Sequence, residues 1–457
     1  MSSITFSSGS NLSTLNDYVF QSCPITKILI PASVATISTS AFASCVALTD
    51  VDFEDGCLLS IMDRYFGGSP IAKVKIPANV TKITYNAFSN FEQLQVVDFE
   101  DNSKCIEIEG VVEQAENYGT MKMTERKNIS GAFFNCINLG TINIPASVET
   151  IGPAAFYGCS NLECISFENG SHLKTIQGVS SSRYWLERVR NASFYGGWSC
   201  GAFAHCASLS SIILPKALLD LGEEAFNGCH SLSSVKFENG SSLCSVGRFA
   251  FLDCNNLSSI TLPAAVSKIG FGAFSGCTNL SNIAIEGSAI SMMIETVSKD
   301  DLSYSGGSGA PYRYNDNVEE YGTFYGCLSL STISLPSRLT DIGNYAFYGC
   351  TALNTIKFSE NATLATIGDY GFYDCPVLHT VDMSNCNQVT KIGASAFQSS
   401  DEMRLFKIGT VVPPTCGSTP FGAVGNYSVL KVPDGAVTQY QSASGWKDFA
   451  SITGLNE

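Results

Sequence analysis

Basic residues are scarce in this chain: 26 Lys and Arg stand against 41 Asp and Glu, leaving a formal charge of −15 over 457 residues. A nucleic-acid partner needs clustered cations to displace counterions from phosphates, so that class is set aside. Long apolar runs are also missing. None approaches the roughly 18 to 20 residues that cross a bilayer, so no membrane insertion is expected in this segment. The N-terminus, Met1-Ser2-Ser3, has neither the basic nor the apolar region of a signal peptide.

What the chain does contain is one small pattern, Ala-Phe-x-x-Cys, returning about every 23 to 25 residues. It stands at Ala41-Phe42 with Cys45, Ala155-Phe156 with Cys159, Ala225-Phe226 with Cys229 and Ala346-Phe347 with Cys350, among others. Self-similarity at this period means a solenoid of stacked copies. Six residues after each ladder Phe comes Leu, as Leu48, Leu162 and Leu353, and five before it an Ile, Leu or Val, as Ile37, Ile151 and Ile342. Apolar pairs nine and eleven after it, such as Ile142 and Ile144, alternate with polar residues as a strand with one buried face does. Each repeat is therefore expected to give one clear strand, a second short strand near the −5 residue, and a 3₁₀ or single helical turn at Ala-Phe-x-x-Cys. Fifteen ladder Phe positions, from Phe20 to Phe421, predict about 15 turns.

The repeats alternate in kind. One ends its strand in Pro, as Ile30-Pro31 and Ile144-Pro145; the other ends in Phe and an acidic or Asn-Gly turn, as Phe53-Glu54-Asp55-Gly56 and Phe167-Glu168-Asn169-Gly170. Pro has no N–H for a ladder, and Asn-Gly tolerates positive φ. A structural unit of two turns follows. Acidic turns such as Glu54-Asp55 and Glu100-Asp101 recur on alternate turns and read as a solvated acidic edge.

Residues Ile144-Pro145-Ala146-Ser147-Val148, Ile151-Gly152, Ala155-Phe156, Gly158-Cys159 and Leu162 resemble, position by position, the repeat of the BspA-type leucine-rich-repeat family of bacterial surface proteins. The resemblance covers nearly the whole chain. It implies a β-dominated leucine-rich-repeat solenoid, an elongated right-handed superhelix, over 1–400, with degenerate repeats and a C-terminal cap over 401–457. It also implies a secreted or cell-surface location, adhesion to a host or matrix protein, no enzymatic activity and no cofactor. Fold analogy alone does not name a ligand.

Eleven of the 18 cysteines occupy the ladder position three after Phe, among them Cys136, Cys206, Cys277 and Cys375. A residue repeated at one core position reads as a small buried hydrophobe, a free thiol. Cys105 falls where Leu173 and Leu243 stand and reads as core too; pairing among Cys57, Cys164, Cys200, Cys244, Cys386 and Cys416 stays open. Phe6, Leu15 and Phe20 already keep the register of Phe358, Ile367 and Phe372, so the chain starts inside a repeat, and further sequence upstream is expected.

The period breaks three times, by insertions at about 109–128, 177–198 and 295–319, each just after the −5 residue of its turn (Ile108, Ile176, Ile294). One position in the repeat means one side of the solenoid, and the first two insertions fall only two strand spacings apart, about 10 Å. Arg183, Tyr184, Trp185, Arg188, Tyr195 and Trp198 lie in the second, and Tyr304, Tyr312 and Tyr314 in the third, with Tyr321 after it. Such residues dominate interface hot spots and stack on sugars. They are the candidate ligand-binding set, for a host or matrix protein or for a glycan; the plainer alternative is that they pack the insertions onto the solenoid. An intracellular scaffold is the third reading. Gly197-Trp198-Ser199-Cys200-Gly201 has the G-x-S-x-G spacing without a strand-turn-helix context, and His205-Cys206 with Cys229-His230 has metal-ligand types at ladder positions. Neither is expected to act, and no metal site is expected.

Overall fold

The computed structural model describes residues 3–7, 9–112, 129–178, 201–287, 292–295, 322–424 and 426–457. Two compact units are present, one built on residues up to Leu232 and the other on residues from Gly240 onward. Both are β-solenoids, about 16 turns in all, with almost no helix. In the first, the long strands Lys27–Ile30, Asp50–Phe53, Lys73–Ile76, Val96–Phe99, Thr141–Ile144 and Cys164–Phe167 form one parallel sheet. Short strands such as Lys82–Ile83, Glu107–Ile108, Thr150–Ile151 and Thr175–Ile176 form another. The second unit repeats this with Thr332–Leu335, Thr355–Phe358, Thr380–Met383, Leu405–Ile408, Val429–Val432 and Ser451–Gly454. Inward strand positions are buried and the intervening ones exposed, which is why the period-2 pattern was readable.

The Ala-Phe-x-x-Cys segment corrects the expected helical turn. In the turn of Phe347, Tyr345 (φ 58°) and Gly349 (φ 69°) are left-handed, which no helix accommodates in succession. Every second N–H closes an i→i−3 turn: Ala346 to Gly343, Tyr348 to Tyr345 and Cys350 to Phe347. The N–H groups between them donate to the next turn, Tyr345 to Asp369 (2.9 Å), Phe347 to Gly371 (2.8 Å) and Gly349 to Tyr373 (3.0 Å). A helix would spend all its N–H groups on itself; here half must bind the neighbouring turn, because a buried unpaired amide is costly. The helical elements among the described residues are the 3₁₀ segment Asp434–Ala436 and the α-helix Val437–Ser442.

The ladder Phe rings stack along each unit, with centroids 5.0 Å apart for Phe133–Phe156 and 4.9 Å for Phe347–Phe372. The ladder cysteines are unbridged as expected and buried except for Cys23, which is half-buried; Cys105 is buried. They are more than small hydrophobes, however. Along the ladder the thiol donates to the carbonyl of the preceding turn's ladder Phe, as Cys136 to Phe88 (3.1 Å), Cys159 to Phe133 (3.1 Å) and Cys350 to Phe324 (3.2 Å). Cys57 and Cys386 are buried free thiols, Cys416 is half-buried, and Cys164 and Cys244 are exposed.

The two kinds of repeat are joined by a carboxylate. Glu54, Glu100, Glu168 and Glu238, after the strand Phe of one turn, accept the N–H of the residue after Pro in the turn before, each at 2.9 Å (Ala32, Ala78, Ala146 and Lys216). The expected solvated edge thus needs correction at Glu100, which is buried; Glu54 is half-buried, and Glu168, Glu238 and the neighbouring Asp55 and Asp101 are exposed. At the C-terminal end Trp446 is fully buried, donates to the Pro414 carbonyl (2.9 Å) and packs on Phe406, Phe421 and Tyr440.

Candidate binding surface at the insertion edge

All three insertions leave from the short-strand sheets, after Glu107–Ile108, Thr175–Ile176 and Met292–Ile294. In the first unit, Thr150–Ile151 alone lies between the first two departure strands, pairing with both. That is the two-strand spacing, about 10 Å. The first insertion leaves and returns as an antiparallel pair, Gly110–Val112 with Ile129–Gly131, and its foot is closed by the Ala132 N–H on the Glu109 carbonyl (2.9 Å).

Glycines make the crossing. A Cβ on Gly110 would lie 1.5 Å from the Pro153 carbonyl oxygen, and one on Gly178 would lie 2.0 Å from that of Glu223. At re-entry, Gly131, Gly201 and Gly322 sit equally close to the carbonyls of Ala154, Glu224 and Tyr345, residues held left-handed in the following turn. The backbone of each insertion foot therefore runs in contact with the next turn, where no side chain fits.

The residue after the −5 position also changes character. Many turns without insertions carry glycine there (Gly152, Gly222, Gly270), pressed against the backbone of the turn before, while Ser38, Asp63 and Thr84 hold the position in earlier turns. Insertion-bearing turns carry Glu109, Gln177 and Glu295. Glu109 takes the Tyr85 N–H (3.3 Å) and pairs with Lys82. Glu295 takes the Phe271 N–H (3.2 Å), Lys268 (2.9 Å) and a bidentate pair from Arg248, both at 2.8 Å. Burial works to raise the Glu295 pKa, but Arg248, Lys268 and the amide outweigh it and hold the carboxyl at about 2. Gln177 has no such amide to take, since Pro153 stands where the N–H would be.

An aromatic strip accompanies the first and third insertions. The residue after the ladder Phe is aromatic in the turn of the first insertion and the one after it (Phe134, Tyr157), and in the turn of the third and the two after it (Tyr325, Tyr348, Tyr373). At Ala43, Gly67, Ser89, Asn227, Leu252 and Ser275 it is not, nor at Ala204 in the turn of the second insertion. Phe134 stacks on Tyr157 at 5.0 Å, and Tyr348 on Tyr373 at 5.0 Å, beside the stacked pair Tyr345–Tyr370. These half-buried rings cover one another's faces. This strip and the Glu/Gln/Glu substitution were not singled out from sequence, although aligning the repeats on the ladder Phe displays both.

The candidate residues Arg183, Tyr184, Trp185, Arg188, Tyr195, Trp198, Tyr304, Tyr312, Tyr314 and Tyr321 lie outside the described residues, as do Gly197 to Cys200 of the G-x-S-x-G stretch. Cys206 and Cys229 spend their thiols on the Phe156 and Phe203 carbonyls. No group of three or more metal-ligating side chains occurs among the described residues, and none of their helices is long and apolar enough to cross a membrane.

The family model described as the BspA type leucine rich repeat region matches six copies over residues 2–112, 121–189, 199–303 and 319–435. Among solved structures, a leucine-rich repeat protein from Bacteroides ovatus is similar at 20% identity and a TM-score of 0.54, covering 99% of this chain and 91% of that one. A leucine rich cell surface protein from Faecalibacterium prausnitzii shares 18% identity at a TM-score of 0.33, over 84% of this chain and 88% of that one. The pneumococcal vaccine antigen PcpA shares 17% at 0.35, over 97% and 84%. At these identities the likeness concerns the fold. No curated protein matches the chain.

Proposed function

Since the chain belongs to the BspA-type leucine-rich-repeat family, we propose that it is a non-catalytic binding protein, secreted or held at the cell surface, that adheres to a host or matrix protein through its insertion edge. The observation that carries this reading is the common construction of the insertion feet. Three insertions leave at one register of the repeat, with a carboxylate or carboxamide at the departure point; the first two leave through a glycine pressed on the next turn, and all three return through one. Insertions gathered on one side of a repeat array often form its binding side. Their Trp, Tyr and Arg content suits a protein partner, and a glycan is the other partner class it suits.

The test is binding of the full chain to immobilised matrix proteins and to a glycan array. The intact chain is expected to bind at least one matrix protein, and Trp185→Ala with Trp198→Ala to weaken that binding at least tenfold without lowering the melting temperature. Unchanged binding in the double variant would remove the insertions from the site. Binding confined to the glycan array would reassign the partner class.

A further inference from the structure

The chain holds three Asn-Gly pairs: Asn169-Gly170, Asn227-Gly228 and Asn239-Gly240. The first and third occupy the same exposed turn of two repeats, and Ser follows each. Before each stands a capping glutamate, Glu168 on the Ala146 N–H and Glu238 on that of Lys216, both at 2.9 Å. Gly170 and Gly240 are left-handed (φ 78° and 74°), and a Cβ built on either would meet nothing within 4 Å. The Ser171 N–H closes the first turn on the Glu168 carbonyl (3.1 Å). Among the described residues no backbone carbonyl accepts the N–H of Gly170 or Gly240. The remaining pair is the opposite case. Asn227 is buried, its carbonyl takes the His205 N–H (2.7 Å), and a Cβ on Gly228 would lie 2.6 Å from His205 Nδ1.

An asparagine before glycine can react with its own backbone. The glycine nitrogen attacks the asparagine Cγ, and a residue without Cβ leaves that approach open. The new N–Cγ bond closes a cyclic imide as the Cγ–Nδ2 bond breaks and ammonia leaves. Water then adds to one imide carbonyl and breaks its bond to nitrogen. Opening at one carbonyl gives aspartate, and at the other isoaspartate. Water is the only co-reactant. The attack needs the chain to rotate about the Asn–Gly link, which an exposed turn permits and a buried backbone held by its neighbours resists.

We propose that Asn169 and Asn239 are sites of spontaneous deamidation in the folded chain, while Asn227 is protected. Each event replaces a neutral amide by a carboxylate, charged at neutral pH, on the edge that already carries Asp55 and Asp101. The fold already accommodates the aspartate product. Asp55-Gly56 follows Glu54 in the same turn of an earlier repeat, where Asp55 is exposed and Glu54 still takes the Ala32 N–H (2.9 Å). The edge therefore grows more acidic as the protein ages, with its glutamate caps in place. This holds or fails independently of the adhesion reading.

Ageing the full chain at 37 °C and pH 8.5 in oxygen-18 water, followed by peptide mass mapping, tests it. Asn169 and Asn239 are each expected to convert to aspartate and isoaspartate with uptake of one labelled oxygen. Their rates should exceed at least tenfold those of Asn227 and of exposed Asn361, which precedes Ala362. In urea Asn227 should react as fast as the other two. The double variant Asn169→Asp with Asn239→Asp should melt within a degree or two of the native chain. Folded-state rates at Asn169 and Asn239 no higher than at Asn227 or Asn361, or product without the label, would overturn the proposal. A marked loss of stability in the double variant would overturn the claim that the edge accommodates the product.

Discussion

At the residue scale the ladder cysteine explains itself through one bond. It is small enough for a fully buried site and it carries a weak donor, which the Phe carbonyl of the preceding turn accepts, at 3.3 Å for Cys206 on Phe156. Alanine keeps the apolar character and loses both the donor and the sulfur volume. Cys206→Ala is therefore expected to cost about 1–2 kcal/mol, read as a lower urea midpoint. Burial pushes the thiols of Cys159, Cys229 and Cys350 up to about 12, so almost no thiolate exists at neutral pH. Ellman's reagent should accordingly titrate exposed Cys164 and Cys244 in the native protein, and reach the buried ladder thiols, Cys45 to Cys375, only as denaturant unfolds it. Rapid native labelling of Cys159 would contradict the burial.

At the element scale, turns are joined by groups that the repeat consensus supplies and by groups that replace it. Glu100→Ala leaves the half-buried Ala78 N–H without its acceptor, an expected loss of about 1 kcal/mol by chemical denaturation. Glu295 acts at the third insertion foot, and its effect has a definite sign. Its folded-state pKa of about 2 lies below the ordinary 4.5, so its contribution is complete above about pH 4.5 and is lost as the pH falls toward 2. A shift of that size corresponds to about 3 kcal/mol. Glu295→Gln should lower the denaturation midpoint at pH 7 and flatten its decline between pH 5 and 3. A variant that declines as steeply as the native chain would show that Glu295 is not the group responsible.

At the scale of the whole molecule, the first insertion is an addition to a solenoid that already closes beneath it, since Val96–Phe99 pairs with Thr141–Ile144 across it. Val112 faces Ile129 across an antiparallel pair, so an Asn-Gly turn can join them in place of 113–128. That excision is expected to leave the melting temperature within a few degrees of the native value, because the stacked Phe rings and the ladders on either side are untouched. A large drop would mean that the insertion contributes to the core.

Much of this was legible in the chain. Periodicity located both strands of each turn, the buried Phe, Leu and Cys positions and the common origin of the insertions, since each is a property of one repeat read along itself. The Glu-to-amide caps, the thiol-to-carbonyl bonds and the aromatic strip were not, since each joins residues one turn apart. The Ala-Phe-x-x-Cys turn was misread as helical for the same reason: its hydrogen bonds are divided between its own turn and the next. The sequence by itself determined the solenoid, its period and where the period breaks, because a repeat that cannot bury its own apolar face has to stack. Only the tertiary structure decided what holds one turn to the next, and which of the three Asn-Gly pairs is buried. Those are relations between turns, and they depend on how closely neighbouring backbones approach, which no single repeat encodes.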